Sequence, residues 1–489
     1  MALDMKKLIE TQINSSDHLS KKHVHPRLGK MLQLGGMNTV FTKAQGQYLF
    51  DQNGDKFLDL LAGGGVHFIG RNHPTVMKAL RDVTELEMPN LCVVNSSVLG
   101  GVLAEKLTTL VGGGIGKVQY ANSGTEATDI SLRFARFITR RRRFVYLEGA
   151  FHGRSFAAIS ICGFSQMKEG MDPLMPTVTP VRVNDLEQLK RELSKGDVAA
   201  FIYEAVQGMT CNVLDASYLR EAEKLCRQYG TLLIADEVQT GLARLGDHWF
   251  AAQAYGVTPD MINISKTLSG GQVPISACMI KDSVYEDVFK KFVHGPIYFS
   301  TFAENNLAMA AGIATLDVLE SMNAPRRARE LSDKFRSGLY TLAEKYDCID
   351  RIAGKGLMIG IYFRESQKRR LRIQQELMGV FDGGAFAASV NVEMYRDKKM
   401  IVQLPGPGLS AIKLLPPVTL ADSDVDWFLN SFEDLLSGYY KTSGPLVALG
   451  KAVVASTTKD VKNALGMKSG PGIEDDTEKK SETTNGVHA

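Results

Sequence analysis

Two residues with reactive side chains follow apolar runs that predict β-strands. The run of residues 231–235 ends at Asp236, and 30 residues further the run 262–265 ends at Lys266. The carboxyl ends of strands in an open α/β sheet meet at one crevice, so we expect both side chains to face it. An amine that holds an aldehyde as a Schiff base and a carboxylate that keeps a pyridine nitrogen protonated are the pair that pyridoxal phosphate needs. A lone lysine after a strand is more often a surface residue, so the interpretation depends on other motifs.

A short polar motif predicts a phosphate site at the start of a helix. Ser123, Gly124 and Thr125 begin a stretch, up to residue 139, with apolar residues at helical spacing. Free N–H groups at a helix start bind phosphate, glycine lets the anion approach, and hydroxyls add donors. Taken alone, the same residues are explained equally well as a helix cap.

Two apolar side chains are candidates for the faces of a flat cofactor ring. Phe151 follows a predicted strand and precedes His152, and Val238 stands two residues beyond Asp236. Residues two apart point the same way along an extended chain, so Val238 is expected near the ring. An isolated aromatic residue more often covers the core. Thr301 heads a segment rich in small residues and is a candidate phosphate donor, although tight helix packing also explains that segment.

Together these motifs resemble the class III (ω-) aminotransferase family of fold-type I pyridoxal phosphate enzymes. The resemblance extends from about residue 48 to 436, and the motifs occur in the family's order. They lie at residues 70–74, 122–127, 151–154, 204–208, 236–241, 266–271, 301–302 and 354–360. So many motifs in order are far more specific than any single one. The resemblance implies an α/β fold: a large domain with a mostly parallel sheet covered by helices, and a smaller α+β domain from the chain ends.

The resemblance implies a role for each residue around the cofactor ring. Lys266 would hold pyridoxal 5'-phosphate as a Schiff base and carry the proton, and Asp236 would pair with the pyridine nitrogen. Gln239 would bond the phenolic oxygen, and Val238 and Phe151 would enclose the ring. The implied reaction transfers an amino group from a primary amine or amino acid to a keto acid, aldehyde or ketone. Aminomutases, racemases and lyases of the family stay open as alternatives, whereas a silent scaffold is disfavoured because the reactive residues occur together.

The resemblance also implies how the phosphate is held and how subunits pair. Gly124 and Thr125, next to Ser123, would hold the phosphate. In this family a threonine of the partner subunit completes the phosphate site, and Thr301 matches it, so we expect a homodimer. His152 and Glu204 are included among the cofactor-binding residues, since Glu204 matches a family glutamate near the cofactor.

Two positions depart from the family in the region that binds substrate. Many members carry an arginine before a Pro-Pro pair, where it clamps a keto acid carboxylate. Lys413 stands there instead, and a lysine cannot make the paired contact. Members of the ornithine type mask the arginine with a glutamate where Met209 stands in this chain. One hypothesis is an extended amine, aldehyde or ketone whose apolar body meets Met209; the alternative is that Lys413 or another basic residue binds a carboxylate adequately.

Composition disfavours several other classes of protein. A net charge of +3 over 489 residues is too small to indicate nucleic acid or an anionic membrane as a partner. No run approaches the roughly 18 apolar residues of a membrane span, and no signal-peptide core is visible. We therefore expect a cytoplasmic protein whose partners are a small amine donor and a carbonyl acceptor. The cysteines lack metal-ligand spacing and predict reduced, mostly buried thiols: Cys92, Cys162, Cys211, Cys226, Cys278 and Cys348.

Changes of pattern along the chain predict four regions. Residues 1–60 form an N-terminal arm and part of the small domain, including a β-hairpin with an Asn-Gly turn. Residues 61–325 alternate helical and fully apolar strand-like stretches, which predicts a large cofactor-binding domain with a mostly parallel sheet covered on both faces. Residues 326–440 predict the smaller domain, with strands at 357–363 and 400–404. Residues 441–489 predict a largely disordered tail, with a weak helix at 445–467 and almost nothing apolar beyond.

Overall fold

The strands of the protein form one large sheet and two small ones. The structure is a computed structural model that describes residues 3–91, 96–291, 293–294, 298, 300–379 and 384–441, with the side chains of 34 and 377–379 excepted. From β1 to β14, the strands in this part are Phe41–Gln45, Tyr48–Asp51, Lys56–Asp59, Ile115–Ala121, Arg143–Leu147, Val178–Val181, Val198–Tyr203, Leu232–Asp236, Met261–Ile264, Ser276–Lys281, Ile349–Lys355, Met358–Phe363, Met400–Ile401 and Ala411–Leu414.

Helices alternate with these strands along the chain. From α1 to α17, the α-helices of the described part are Met5–Gln12, Ser16–His23, Pro26–Leu34, Ala62–Gly65, Pro74–Glu85, Val98–Val111, Gly124–Thr139, Phe156–Ser160, Leu186–Leu193, Ala216–Tyr229, Ala251–Tyr255, Asp282–Phe289, Asn306–Ser321, Ala324–Lys345, Arg369–Gly379, Ala385–Arg396 and Asp422–Lys441. Short 3-10 helices occur at Ile13–Ser15, Ser165–Met167 and Lys266–Ser269. Helices α6, α7, α10 and α12 pack against strands of the large sheet and cover them.

The large sheet has seven strands in the order β4-β10-β9-β8-β7-β5-β6. Strands β9, β8, β7, β5 and β6 pair in parallel, and β10 lies antiparallel between β4 and β9. Every residue of β7 and of β9 is buried. Strands that are buried on both faces have continuous apolar sequences. The parallel pairing and the burial of these strands confirm the prediction of a mostly parallel sheet covered by helices.

The parallel strands deliver the candidate residues to one edge of this sheet. Strand β8 ends at Asp236, and β9 ends two residues before Lys266. Strands β5 and β7 lead to Phe151 and Glu204, and β4 leads to the Ser123 motif. Since β4 is antiparallel to β10, and β10 to β9, strand β4 runs in the same direction as the others. All five loops therefore leave the sheet at its carboxyl edge, as an open α/β sheet requires of a binding crevice.

One of the two small sheets joins the first 60 residues to the C-terminal part of the chain. Strand β13 pairs in parallel with β3, with Met400 opposite Leu58, and completes the order β1-β2-β3-β13. The rings of Phe57 and Tyr395 lie 5.2 Å apart in a core that also contains Leu49. The second sheet, β11-β12-β14, is antiparallel and places Lys413 opposite Gly360.

Two local predictions had different outcomes. The expected hairpin is present, because β2 and β3 are antiparallel and Asp51 Oδ1 accepts the N–H groups of Asn53 and Asp55 at 2.8 and 2.9 Å across the turn. The predicted strand 400–404 was too long. Only Met400–Ile401 belongs to the sheet, because Gln403 pairs instead with the backbone of the β14 lysine as an isolated bridge.

Several predictions fall beyond what the structure describes. Cys92, the weak helix at 445–467 and the disordered tail lie outside the described residues, and the domain limits stay predictions. Within the described ranges, no helix combines the length and the apolarity that crossing a membrane demands.

Candidate active site

Lys266 faces a cavity of about 430 Å³ at the carboxyl edge of the large sheet. It begins a 3-10 helix, and its φ of 40° lies in the left-handed region. Non-glycine residues held there cost roughly 1–3 kcal/mol and cluster at functional sites. Burial lowers the pKa of Lys266, more than the carboxylates of Asp236 and Glu204 raise it, and no hydrogen bond to its amine is formed by the described residues. A lysine desolvated in this way has a larger share of the neutral, nucleophilic amine.

Asp236 forms a buried pair with His152. Asp236 Oδ2 lies 2.6 Å from His152 Nδ1, and the two side chains are 5% and 0% exposed. The other oxygen accepts the N–H of Val238 at 3.1 Å. Burial lowers the pKa of His152, but the hydrogen bond and the charge of Asp236 outweigh it, so the pKa is raised overall. The His152 ring and a backbone N–H therefore fix the orientation of the Asp236 carboxyl group at the end of β8.

Glu204 fixes two backbone segments that line the cavity. Its oxygens accept the N–H groups of Phe151 at 2.9 Å and Gly208 at 2.7 Å. Burial raises the pKa of Glu204, against the lowering effect of His152 and of the two backbone donors. Hydrogen bonds from backbone N–H groups to a carboxylate are among the stronger ones in proteins. The structure therefore gives Glu204 a positioning contact with the loop that carries Phe151.

The start of α7 carries the backbone donors expected of a phosphate site. Ser123 caps the helix, since its Oγ accepts the N–H of the third helical residue at 3.4 Å. The N–H groups of Gly124 and Thr125 have no acceptor among the described residues. The Thr125 hydroxyl is already engaged, because it accepts the N–H groups of the two residues that follow the Phe-His-Gly motif at 3.1 and 3.0 Å. Free N–H groups at a helix start attract anions, so the main chain rather than the hydroxyl suits a phosphate.

Val238 and Phe151 both line the cavity. Val238 packs on the start of α7 so closely that a Cβ at Gly124 would lie 2.9 Å from its Cγ1. Glycine at this position therefore brings the helix start next to Val238, and a larger residue would push the two apart. The guanidinium of Arg154 lies 5.9 Å from the centre of the Phe151 ring.

Gln239 and Lys413 form a hydrogen-bonded pair at the opposite wall. The Lys413 ammonium donates to Gln239 Oε1 at 2.8 Å and to the carbonyl of Gly208. Gln239 Nε2 donates to the carbonyl of Gly64 at 3.3 Å. Lys413 is 3% exposed, and burial lowers its pKa to about 8.

The cavity brings together most of the residues that the sequence motifs singled out. Those that line it are Gly124, Thr125, Phe151, His152, Glu204, Met209, Asp236, Val238, Gln239, Lys266 and Lys413. Ser123 lines an adjoining cavity of about 340 Å³ that shares Lys266 with the first. Thr301 is exposed and belongs to the lining of neither cavity.

Other lining residues were missed by the sequence motifs. Arg154 ends the Phe-His-Gly-Arg motif and was not considered, although a charged residue at the end of a cofactor motif was a usable signal. Gly64 and Gln403 line the cavity from segments without any chemical motif. Arg244 lies behind the site, fully buried, and donates to the carbonyls of Pro416 and of the glycine after Gly64. Nothing in the sequence around these three indicated a site.

The donor set fits pyridoxal 5'-phosphate. The cavity combines a lysine without a hydrogen-bond partner in the described chain, a buried carboxylate and free helix N–H groups. These match an aldehyde, a pyridine nitrogen and a phosphate, and they come from three different strands. Lys266, Asp236 and the start of α7 would hold the three ends of the cofactor.

Comparisons with known proteins identify the family. The family model described as aminotransferase class-III matches residues 33–436. Acetylornithine aminotransferase of Bacillus anthracis is 32% identical over 403 residues, which are 82% of this chain and 95% of the relative. Aminotransferase PigE of Serratia sp. is 29% identical over 450 residues, and the chain spans only about half (53%) of that relative's length.

The solved structures agree with this comparison. Ornithine aminotransferase of Toxoplasma gondii superposes with a TM-score of 0.72 at 26% identity, covering 82% of this chain and 91% of that one. The fold is that of the fold-type I transaminases. The chain belongs to the class III aminotransferase family and is a pyridoxal-phosphate-dependent aminotransferase, whose substrates are small-molecule amines and keto acids.

Proposed function

We propose that Lys266 anchors the cofactor and moves the proton during transamination, and that Asp236 pairs with the cofactor's pyridine nitrogen. The observation that carries this proposal is that a lysine amine without a partner in the described chain and a carboxylate held by His152 face one cavity. When bound, pyridoxal phosphate supplies a ring that accepts the electron pair released as a C–H bond next to nitrogen breaks.

The protein's own groups then have defined tasks. Lys266 Nζ takes the proton from the substrate carbon and returns it to the cofactor side, and burial favours the neutral amine that this requires. His152 and the Val238 N–H bond the two oxygens of Asp236 and hold its carboxyl group in place. Val238 and Phe151 cover the reacting centre and exclude water. The start of α7 holds the phosphate through its free N–H groups.

We propose a donor that reacts at a terminal amine and carries an acidic group at a distance. Lys413 has two of its three N–H groups committed to protein acceptors and is almost fully buried, so it is not placed to clamp a substrate carboxylate. Arg154 is exposed, lines the cavity beside Phe151 and has no ion pair within the described ranges. Met209 offers an apolar wall between the two ends. Acetylornithine, named for one relative, has this distribution of groups.

Substitution of Arg154 tests the donor class. Arg154→Met is expected to raise KM about 10- to 100-fold for N-acetylornithine, ornithine and 4-aminobutyrate, because a charge-assisted hydrogen bond is lost. The KM for hexylamine, which has no carboxylate, should change less than about twofold. The measurement is the initial rate with 2-oxoglutarate or pyruvate, together with the amount of keto acid consumed per amine.

The control for this experiment is Arg182→Met, at an exposed arginine that pairs with Asp185 and does not line the cavity. An equal rise in the KM for hexylamine contradicts a carboxylate-binding role for Arg154. The donor would then be an apolar amine that meets Met209. Amine turnover without stoichiometric keto acid consumption contradicts transamination itself and favours a mutase, racemase or lyase reaction.

We also propose a homodimer in which Thr301 reaches the phosphate site of the partner subunit. Support comes from its exposure and from its absence from the lining of its own chain's cavities. We further propose a cytoplasmic location, since the cysteines of the described part are free thiols, which persist in a reducing compartment.

Hybrid dimers test the shared site. Lys266→Ala and Thr301→Glu are expected to be impaired separately, the second because a carboxylate repels phosphate. Co-expressed with different tags, they should regain activity, since one site of each hybrid then has both natural residues. Two-tag purification followed by rate measurement checks this, with each variant paired with itself as the control. Hybrids no more active than the parents contradict a site shared between subunits.

A further inference from the structure

Lys413 lines the cavity, and its ammonium is bonded there to Gln239 and to the carbonyl of Gly208. The ammonium donates to Gln239 Oε1 at 2.8 Å and to the carbonyl of Gly208, and the residue is 3% exposed. Strand β14 holds its backbone rigidly, because Lys413 lies opposite Gly360 and exchanges both backbone hydrogen bonds with Gln403. The side chain therefore projects from a fixed strand towards one amide.

The chemistry of the two groups determines which way that amide faces. An ammonium has three N–H donors and no acceptor, whereas a glutamine amide has an oxygen at one end and two N–H groups at the other. Only the oxygen of Gln239 can face Lys413. The NH₂ group must then point the other way, where one N–H reaches the carbonyl of Gly64 at 3.3 Å. Its second N–H remains for a ligand in the cavity that Gln239 lines.

We propose that Lys413 is a positioning residue that orients Gln239, so that an amide N–H and not the amide oxygen faces the cofactor. This inference rests on the proposed function, in which the cofactor is bound through Lys266. An N–H held at the phenolic oxygen of the cofactor stabilises negative charge there. With the cofactor bound through Lys266, the Lys266 nitrogen would then lose its proton at lower pH.

The charged surroundings of Lys413 agree with this role. Burial has the largest effect on the pKa of Lys413 and lowers it, Lys266 and Arg244 lower it further, and the thiol of Cys211 and the carboxylate of Glu204 oppose them. With a pKa of about 8, Lys413 is largely protonated at neutral pH and can act only as a donor. In family members that have an arginine at this position, the arginine would bind a carboxylate. In this chain the ammonium of Lys413 is instead hydrogen-bonded to acceptors of the protein itself.

A double-mutant comparison tests the proposal on the holoenzyme. The readout is the midpoint of the pH titration of the bound cofactor's visible absorption, measured in wild type, Lys413→Met, Gln239→Leu and the double variant. We expect Gln239→Leu to raise the midpoint by about one pH unit, the size of one hydrogen bond to a charged group. Lys413→Met should also raise the midpoint. The double variant should equal Gln239→Leu alone, because Lys413 acts through Gln239.

Controls separate positioning from general damage. Lys281→Met changes a lysine that also donates to a backbone carbonyl and a carboxylate, outside the cavity, and should leave the midpoint unchanged. Far-UV circular dichroism and melting temperatures report folding for each variant. If Lys413→Met does not fold, the midpoint of the pH titration of Gln239→Glu tests the proposal instead. Its carboxylate accepts from Lys413 but has no N–H, so the midpoint should rise as in Gln239→Leu.

Additive shifts in the double variant, or an unchanged midpoint in both Lys413→Met and Gln239→Glu, would overturn the proposal. So would a Lys413→Met variant whose only change is a higher KM for keto acids. Borohydride reduction and peptide mass spectrometry on every sample identify the residue that binds the cofactor. A label absent from Lys266 in the wild type contradicts the proposed function, whereas a label on Lys266 with additive shifts contradicts only the role of Lys413.

Discussion

Lys266→Ala is expected to lower the rate of transamination by about 10⁴-fold or more. The substitution removes the residue that we propose as both the covalent anchor and the general base, and general acid–base catalysis alone contributes up to about 10⁴. The lysine is the cavity residue whose amine has no partner in the described chain, so no neighbouring amine replaces it at the same place. Rates with an amine donor and 2-oxoglutarate, before and after adding ethylamine, measure the effect.

Added ethylamine should restore part of the activity of Lys266→Ala, because a free base can enter the space left by the side chain. Lys224→Ala, at an exposed lysine paired with Glu221 on α10, is the matched control and should keep the wild-type rate. Repeated turnover by Lys266→Ala without any added amine contradicts the assignment. The borohydride label should be absent from the alanine variant and present in the control.

Asp236→Asn should reduce turnover by roughly 10²–10³-fold while the cofactor still reacts with Lys266. Asparagine keeps the size of the side chain but removes the charge that, in the proposed function, keeps the pyridine nitrogen protonated, and losing one preorganised electrostatic contact typically has this effect. The pair with His152 also changes, because a neutral amide no longer raises the pKa of the imidazole. Single-turnover kinetics should show the loss in the proton-transfer step rather than in amine binding.

Asp317→Asn provides the control for this change, since Asp317 is 53% exposed and pairs with Lys106 on the surface. A decrease of less than about tenfold in Asp236→Asn would show that another group protonates the ring. A decrease that appears only as a higher KM would mean that Asp236 binds substrate rather than supporting the chemistry.

The strand ends and their motifs made much of the site predictable. Lys266 and Asp236 follow apolar runs that are parallel neighbours in the sheet, and topology brings such ends to one edge. Gly124 was predicted from a helix start, and it lies there against Val238. These residues obey local rules, so a pattern of a few residues was enough to place them.

Contacts between distant segments were not predictable in this way. Lys413 bonds Gln239 and Gly208, which are 174 and 205 residues away along the chain. The departure from arginine was visible, but the identity of the acceptors required the structure. The hydroxyl of Thr125 is a similar case, because it accepts from the loop after His152, which follows β5, and β5 is not a neighbour of β4 in the sheet.

Strand β10 acts as a spacer in the site, although it contributes no chemistry. It lies between β4, which leads to the start of α7, and β9, which leads to Lys266, and it runs the opposite way. Two strand spacings, roughly 10 Å, therefore separate the two ligand-bearing strands. The segment in front of β10 lines the adjoining cavity, and Ser265 Oγ donates to the carbonyl of Ile275 at 2.8 Å. Changes at the amino end of β10 would thus alter the distance between the start of α7 and Lys266, the two proposed anchors of the cofactor, without touching either of them.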